Sequence, residues 1–270
     1  MKKIPLKKIY LLLNVILAIG LLTPFLISRA TSHANHPSKP AIHHSIAPHR
    51  EVLPFTAATA GYKFNLYDSL KLGSLGLDRE VFEYALKGFQ QMEMTGKLKN
   101  NKVISVVDYS QPSYQKRLFV IDLRQFRVLF NTYVAHGMQS GKAVAQYFSN
   151  VPESNKSSLG FYQTLDTYMG GNGYSLRLQG VERGINDNAN KRAIVMHGAP
   201  YVNEGLIRSQ GYIGRSWGCP AVPARLSKPI IDKIKNGTCL FIYSPDQKYL
   251  AHSRMLNGTF IPGAENKHNS

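Results

Sequence analysis

Residues 195–222 read VMHGAPYVNEGLIRSQGYIGRSWGCPAV, and they contain the features on which the fold and the function depend. The segment holds the single tryptophan of the chain, Trp217, and one of its two cysteines, Cys219, among glycines and prolines. Such composition is typical of a turn or loop. The run RAIVM, which overlaps the start of this segment, is mostly apolar and predicts a strand over 192–196. We therefore expect a loop thiol and, upstream, a histidine (His197) where that strand ends.

A cysteine nucleophile requires a base that accepts its proton, or an imidazolium that stabilises its thiolate. His197 is the preferred base because a strand end is a rigid mount, and because Gly198 leaves a carbonyl that can orient the imidazole. His136, in the similar context VAHGMQSG, is the alternative. Main-chain N–H groups of Trp217, Gly218 and Cys219 are candidates for an oxyanion hole.

The second cysteine, Cys239, lies in the apolar run TCLFIYS, where a cysteine behaves as a small buried hydrophobic residue. A buried strand thiol and a loop thiol are poor disulfide partners, so we predict that both remain free. A free thiol is unusual outside the cytoplasm. Its retention at position 219 indicates a chemical use.

The N-terminus, MKKIPLKKIYLLLNVILAIGLLTPFLIS, combines four lysines with an apolar run. This pattern predicts a secretory signal peptide or a membrane anchor over 1–34, and therefore an exported protein of the periplasm or cell envelope. Residues 35–60 are rich in histidine and proline, and we interpret them as a solvated linker rather than a metal site. The net charge is +17, but the basic residues are scattered, which disfavours nucleic-acid binding.

The hydrophobic pattern predicts a helix over 78–94, capped by Asp78, within a helical lead-in at 61–98. A mainly β domain is predicted at 99–246, followed by a polar tail at 247–270. Its strands are expected at 102–110, 174–179, 192–196 and 238–244, with two more between 117 and 137 that turn near 123–126. Short helices are expected at 202–209 and 229–235, and a long connection at 139–172.

The segment VMHGA…GRSWGCPAV resembles the L,D-transpeptidase catalytic domain, whose signature is His-Gly, a spacer, and Ser/Thr-X-Gly-Cys. Together with RLFVIDL, SNVPESNKSSLGFY, YSLRLQG and NDNA, it is similar to the murein, YkuD-like subgroup with a Ser-Trp-Gly-Cys motif. The resemblance covers residues 102–244. It implies a mainly β, sandwich-like catalytic domain with a few short helices and the thiol at one end of the sheet.

The resemblance implies that Cys219 is the nucleophile, that His197 is the base and that the Gly198 carbonyl orients the imidazole. Ser216, Trp217 and Gly218 correspond to the nucleophile loop. Arg215 is a candidate for binding a substrate carboxylate, although we favour a solvated or structural role for it in the loop.

Two positions depart from the wider family. Trp217 stands where that family has a second histidine, and Pro220-Ala221-Val222 stand where an arginine follows the cysteine. A tryptophan cannot titrate and offers only an N–H donor. Any auxiliary role of the second histidine is therefore lost or replaced in this chain.

The implied reaction is acyl transfer on a peptidoglycan stem tetrapeptide. Cys219 attacks the carbonyl of the third residue, D-Ala leaves, and an amine accepts the acyl group. The product is a 3→3 cross-link, an attached envelope protein or an exchanged D-amino acid, and no cofactor or metal is required. Water as acceptor makes the enzyme an L,D-carboxypeptidase.

Two further hypotheses remain. An NlpC/P60-like peptidase places its cysteine before its histidine and at a helix start, which Pro220 and Pro223 disfavour here. A non-catalytic cell-wall-binding module is the alternative of another class, and Cys219 is structural in it.

Overall fold

The structure is a computed structural model that describes residues 66–258. The predicted signal peptide or anchor (1–34), the linker (35–60) and residues 259–270 lie outside the described residues. Within 66–258, no helix combines the length and the apolar character that crossing a membrane requires.

Eight strands form a single mixed sheet with the order β3-β2-β1-β8-β4-β5-β6-β7. The pairs β1–β8 and β6–β7 are parallel, and the other neighbours are antiparallel. The predicted mainly β class with few short helices is confirmed. The strands are β1 (Val103–Asp108), β2 (Leu118–Asp122), β3 (Arg127–Thr132), β4 (Gly160–Gly170), β5 (Gly173–Gly180), β6 (Val195–Ala199), β7 (Ala221–Pro223) and β8 (Cys239–Tyr243).

The helix α1 (Arg79–Met94) packs against β1 and β8. The predicted cap is confirmed, because the Asp78 carboxylate accepts a hydrogen bond from the Glu80 N–H at 2.7 Å. Gly88 lets the helix approach the sheet, since a Cβ there would lie 2.1 Å from the ring of Phe161. That ring stacks on Phe241 of β8 with centroids 4.2 Å apart.

The helix α3 (Ala224–Ile234) contacts β1, β5, β6 and β7. Its Ile234 carbonyl accepts a hydrogen bond from Thr164 Oγ1 of β4 at 2.6 Å. Thr164 and Phe161 are three residues apart on one strand and therefore point to opposite faces. The sheet is thus covered by α1 on one face and by α3 on the other, which explains why every residue of β1 and β8 is buried.

Besides the strand that carries His197, three segments differ from the prediction. Residues 160–170, predicted to be part of a long connection, form β4, the longest strand. The helix predicted at 229–235 begins at Ala224 and holds Pro229 in its interior, whereas α2 (Glu204–Gln210) lies close to the prediction. The segment after Asp246, predicted to be a polar tail, forms α4 (Gln247–His252) and α5 (Arg254–Asn257).

The two C-terminal helices are anchored by a buried carboxylate. Glu182 accepts hydrogen bonds from Tyr249 Oη, Ser253 Oγ and the Phe161 N–H. Tyr249 is buried with Met255 and Leu256, and α5 contacts α1. The polar segment that forms α4 and α5 is therefore held by a few buried side chains and by the buried Glu182, not by a continuous apolar face.

Candidate active site

His197 lies within β6 rather than at the end of a strand, so the predicted strand at 192–196 is displaced by three residues. It is the third of the five residues of β6 and pairs in parallel register with Ala221 of β7. Residues that pair in register share a face of the sheet. The imidazole therefore points to the same side as the Ala221 side chain.

Cys219 precedes β7 by two residues, which returns its side chain to the side of the sheet that carries His197. The position is fixed by contacts with the start of β6. The Val195 N–H donates to Sγ at 3.5 Å, and the thiol donates to the Ala193 carbonyl at 3.8 Å. Ala193 has a φ of 54°, and this left-handed turn places it just before the strand. Cys219 and Cys239 are both free thiols, as predicted.

The imidazole of His197 is oriented by its own chain neighbour. Nδ1 lies 3.0 Å from the Gly198 carbonyl oxygen. A carbonyl can only accept, so Nδ1 carries the proton in this contact and Nε2 is left as the acceptor. Gly198 is required for packing, because a Cβ there would lie 2.6 Å from Ser227 Oγ of α3.

Burial keeps both groups neutral. It lowers the pKa of His197, which is 3% exposed, and the hydrogen bond to Gly198 opposes this effect. Burial also raises the pKa of the Cys219 thiol, and the Val195 N–H and the charge of Arg192 oppose this effect. The resting pair is therefore a thiol and a neutral imidazole, and the imidazole can accept the thiol proton when the thiol attacks.

Cys219 and His197 line one cavity of about 520 Å³. Trp217 lies at its edge with 78% of its surface exposed. The residue at position 217 therefore faces solvent at the cavity rather than the core. The remaining lining residues are Tyr168, Asn172, Arg192, Ala193, Ile194, Val195, Tyr201, Arg215 and Ser216.

The loop before Cys219 is held by Ser216 and Gly218. Ser216 Oγ donates to the Cys219 carbonyl at 2.6 Å and accepts the Gly218 N–H at 3.1 Å. Gly218 has a φ of 119°, and a Cβ there would lie 2.8 Å from the Lys156 carbonyl, so only glycine fits. Its N–H is occupied by Ser216, whereas the N–H groups of Trp217 and Cys219 bond to no residue of the described range.

Arg215 lines the same cavity but is bound to the main chain. Its Nη1 donates to the Met138 carbonyl at 3.3 Å and to the Gly141 carbonyl at 3.1 Å. The guanidinium also lies over the Tyr212 ring, 5.9 Å from its centroid. Arg215 thus fixes the loop and at the same time presents a positive charge to the cavity.

The family model described as the L,D-transpeptidase catalytic domain matches residues 74–243, which is more than half of the chain. The chain belongs to the L,D-transpeptidase catalytic domain family. Both residues discussed above, His197 and Cys219, fall inside the match. A comparison with curated proteins finds no match.

Solved structures of other proteins are similar to the chain. An L,D-transpeptidase from Mycobacterium smegmatis is 15% identical with a TM-score of 0.33, over 53% of this chain and 59% of that one. One from Mycobacterium tuberculosis H37Rv is 15% identical with a TM-score of 0.31, over 53% and 58%. A variant of the helical cell shape determining protein Pgp2 from Campylobacter jejuni is 12% identical with a TM-score of 0.38, over 60% and 57%. The chain spans less than two thirds of the length of each.

The alternative base, His136, does not line the cavity of this L,D-transpeptidase domain. It is fully buried, and Arg117 Nη2 donates to its Nδ1 at 2.7 Å. Its Nε2 therefore carries the proton and faces the Gly141 carbonyl at 3.3 Å. Burial, together with the charge of Arg117, lowers the pKa of His136 to about 3. This imidazole is a neutral structural group.

His136 should make stability fall as the solution is acidified. The unfolded chain binds a proton on this histidine below about pH 6.5, whereas the folded chain does not until about pH 3. The free energy of unfolding should therefore decrease by about 1.4 kcal/mol per pH unit between these values. Urea unfolding of the wild type and of His136→Gln at pH 7, 6, 5 and 4.5 measures this contribution, because glutamine can keep both hydrogen bonds without titrating.

The free energy of unfolding of His136→Gln should depend less steeply on pH than that of the wild type, by about 1.4 kcal/mol per pH unit. The contributions of all other titrating groups cancel in this comparison. His252→Gln is the matched control, since His252 is exposed on α4. Parallel curves for the wild type and His136→Gln would show that His136 ionises normally in the folded protein.

Two groups near the thiol were missed by the sequence analysis. Arg192 was treated only as part of a strand, yet it lines the cavity. Ser157 lay in the long connection, yet its Oγ donates to the Gly218 carbonyl at 3.1 Å. No local pattern announces either contact, because both join segments distant in the chain. Among residues 66–258, no group of three His, Cys, Asp or Glu side chains is arranged to hold a metal ion.

Proposed function

We propose that this protein is a peptidoglycan L,D-transpeptidase of the cell envelope, with Cys219 as its nucleophile and His197 as its general base. The observation that carries the proposal is that Cys219 and His197 line one cavity inside the family match, with the accepting nitrogen of the imidazole left free by Gly198. Residues 1–34 would direct the catalytic domain at 99–246 out of the cytoplasm, as a signal peptide or an anchor.

In the first step the Cys219 proton moves to His197 Nε2 as Sγ attacks the carbonyl carbon of the third residue of a stem tetrapeptide. A C–S bond forms and the carbonyl electrons move to the oxygen. When the tetrahedral intermediate collapses, the C–N bond breaks. The imidazolium gives its proton to the leaving amine, which departs as D-Ala.

In the second step an amine acceptor attacks the thioester, and His197 takes the proton that this amine loses. The C–S bond breaks, and the Cys219 thiolate recovers its proton from the imidazolium. A stem-peptide amine gives a 3→3 cross-link, the amine of an envelope protein gives attachment, and a free D-amino acid gives exchange. Each of these outcomes uses the same acyl-enzyme and needs no cofactor.

The negative charge on the carbonyl oxygen needs donors in both steps. The N–H groups of Trp217 and Cys219 are the candidates, because the Gly218 N–H already bonds to Ser216. Arg215 presents a positive charge at the cavity and is our candidate for binding a substrate carboxylate. The exposed indole of Trp217 would contact the substrate at the edge of the cavity.

Incubation of the full chain with disaccharide tetrapeptides, followed by chromatography and mass spectrometry, tests the proposal. We expect 3→3 cross-linked dimers together with released D-Ala. The Cys239→Ala variant should give the same products, and the Cys219→Ala variant should give none.

Other products would identify other functions. Tripeptides without dimers would show that water is the acceptor, and the protein would then be an L,D-carboxypeptidase. Retention on peptidoglycan without any change of the muropeptides would overturn the enzyme proposal in favour of a binding module.

A further inference from the structure

Arg192 occupies the turn before β6, and its guanidinium donates to four oxygens of one segment. Nη1 donates to the Ser149 carbonyl at 2.8 Å and to Ser158 Oγ at 2.5 Å. Nη2 donates to the Lys156 carbonyl at 2.8 Å and to Ser154 Oγ at 3.1 Å. One side chain therefore holds both ends and the middle of residues 149–158.

This segment touches the loop that carries the thiol. The Lys156 carbonyl, bonded to Arg192, lies 2.8 Å from the place where a Cβ on Gly218 would be. Ser157, the next residue, donates through Oγ to the Gly218 carbonyl at 3.1 Å and accepts the Gly137 N–H at 3.0 Å. Arg192 is thus linked to the neighbour of Cys219 through one short stretch of main chain.

The charge of Arg192 is not neutralised by an acid. All four of its acceptors are uncharged oxygens, and none of the ion pairs within residues 66–258 involves it. Its Nε is buried and has no hydrogen-bond partner among the described residues. A half-buried guanidinium in this position attracts a nearby anion more strongly than a solvated one does.

Two nearby groups can become anions, Tyr162 and Cys219. Burial strongly raises the pKa of Tyr162, so the group that matters is Cys219, which lines the same cavity as Arg192. Burial lowers the pKa of Arg192, while Tyr162 and Cys219 raise it, and the charge of Arg192 in turn opposes the rise of the Cys219 pKa. The imidazole of His197 is neutral at rest because burial lowers its pKa. A permanent positive charge near Sγ therefore favours the thiolate whether or not His197 is protonated.

We propose that Arg192 is a positioning residue of the cysteine site, which stabilises the Cys219 thiolate by its charge and holds residues 149–158 against the nucleophile loop. The inference rests on the proposed function, because it assigns the guanidinium a part in generating the nucleophile. It predicts that removal of the charge makes the thiol less acidic even where the hydrogen-bond donors are partly kept.

Other ionisable groups surround the thiol and must be excluded as causes. Burial raises the pKa of Tyr109 and of Tyr201 to about 12, so both stay neutral across the range in which the thiol titrates. Arg215 lines the cavity, but its charge acts on buried His136. The titratable or charged groups that face the thiol or Arg192 are Tyr109, Tyr162, Tyr168, Arg192, His197, Tyr201 and Arg215.

The test compares Arg192→Lys, which keeps a charge, with Arg192→Gln, which keeps an amide donor without a charge. The rate at which iodoacetamide alkylates Cys219 is measured from pH 6 to 10 on the full chain, and peptide mass mapping locates the adduct. For Arg192→Gln we expect the apparent pKa of the thiol to rise by about one unit, which is a tenfold loss of thiolate below that pKa. Arg192→Lys should recover most of this loss.

Lys191→Gln is the matched control, because it removes the exposed positive charge of the residue next to Arg192, and its thiol profile should follow that of the wild type. Equal profiles for wild type and Arg192→Gln, with native circular dichroism, would overturn the proposal. Equal losses of thiolate in Arg192→Gln and Arg192→Lys would also overturn the proposal. A role of the charge requires the lysine variant to keep more thiolate than the glutamine variant does.

The alkylation assay is independent of the transferase reaction. A wild type that fails to process muropeptides but shows an Arg192-dependent thiol would contradict the proposed function and leave the role of Arg192 intact. A wild type that cross-links muropeptides with a thiol insensitive to Arg192 would contradict only the present inference.

Discussion

The Cys219→Ala variant is expected to form no covalent adduct with a carbapenem, whereas the wild type gains the mass of one drug molecule. A carbapenem presents a strained carbonyl that a thiolate can open, and the thioester that results is the counterpart of the proposed acyl-enzyme. Cys219 is the cysteine that meets this requirement, because it is partly exposed in the cavity beside His197. Intact-mass spectrometry of the reduced full chain measures the result directly.

Cys239→Ala is the control for the second thiol. Cys239 is fully buried in β8, and burial strongly raises its pKa, so its thiol is neither accessible nor ionised. This variant should still gain one drug mass at the wild-type rate. The Cys239→Ala variant should instead lose about 1–2 kcal/mol in the free energy of unfolding, because a buried sulfur is deleted. An adduct on Cys219→Ala, or its absence from the reduced wild type, would contradict the assignment of the nucleophile.

The two ends of the segment at 195–222 were predictable because their signals are local. A glycine- and proline-rich loop around Cys219 and an apolar run before His197 are visible in a few residues each. The structure adds the parallel pairing of His197 with Ala221, which returns Cys219 to the same side of the sheet. Strand pairing joins residues far apart in the chain, and composition does not encode it.

Strand β4 was missed because its sequence does not alternate clearly. Gln163, Thr164, Asp166 and Thr167 are polar, and the run carries a glycine at each end. Thr164 is nevertheless fully buried, because its Oγ1 donates to the Ile234 carbonyl of α3. A polar residue satisfied by a distant helix has no signature in a short window.

The two histidines in VMHG and VAHG illustrate the same limit at the site itself. Their local sequences are nearly equal, and yet His197 lines the cavity and His136 is enclosed. The difference comes from Arg117, which lies 19 residues from His136 and bonds to its Nδ1. The preference for His197 rested on its strand and on the carbonyl of Gly198, and a buried arginine partner for His136 was not predictable.

The second large effect is expected for His197→Ala, which should slow acylation of Cys219 by about 10²–10⁴-fold while the thiol remains present. The thiol is neutral at rest, because burial raises its pKa, so a base must remove its proton as it attacks. Nε2 of His197 is the imidazole nitrogen that can accept this proton, because Nδ1 bonds to the Gly198 carbonyl, and this contact fixes the orientation of the ring. Stopped-flow measurement of carbapenem acylation separates this step from later ones.

The pH dependence tests whether the neutral imidazole is the active form. Burial lowers the pKa of His197, so its neutral form persists to more acidic solution than that of a free imidazole. The acid limb of the wild-type acylation rate should therefore lie below about pH 6.5, and it should be absent from His197→Ala. His136→Gln is the matched control and should keep both the rate and the acid limb, since its imidazole lies outside the cavity. A rate within tenfold of wild type in His197→Ala, combined with a collapse in His136→Gln, would transfer the role of base to His136.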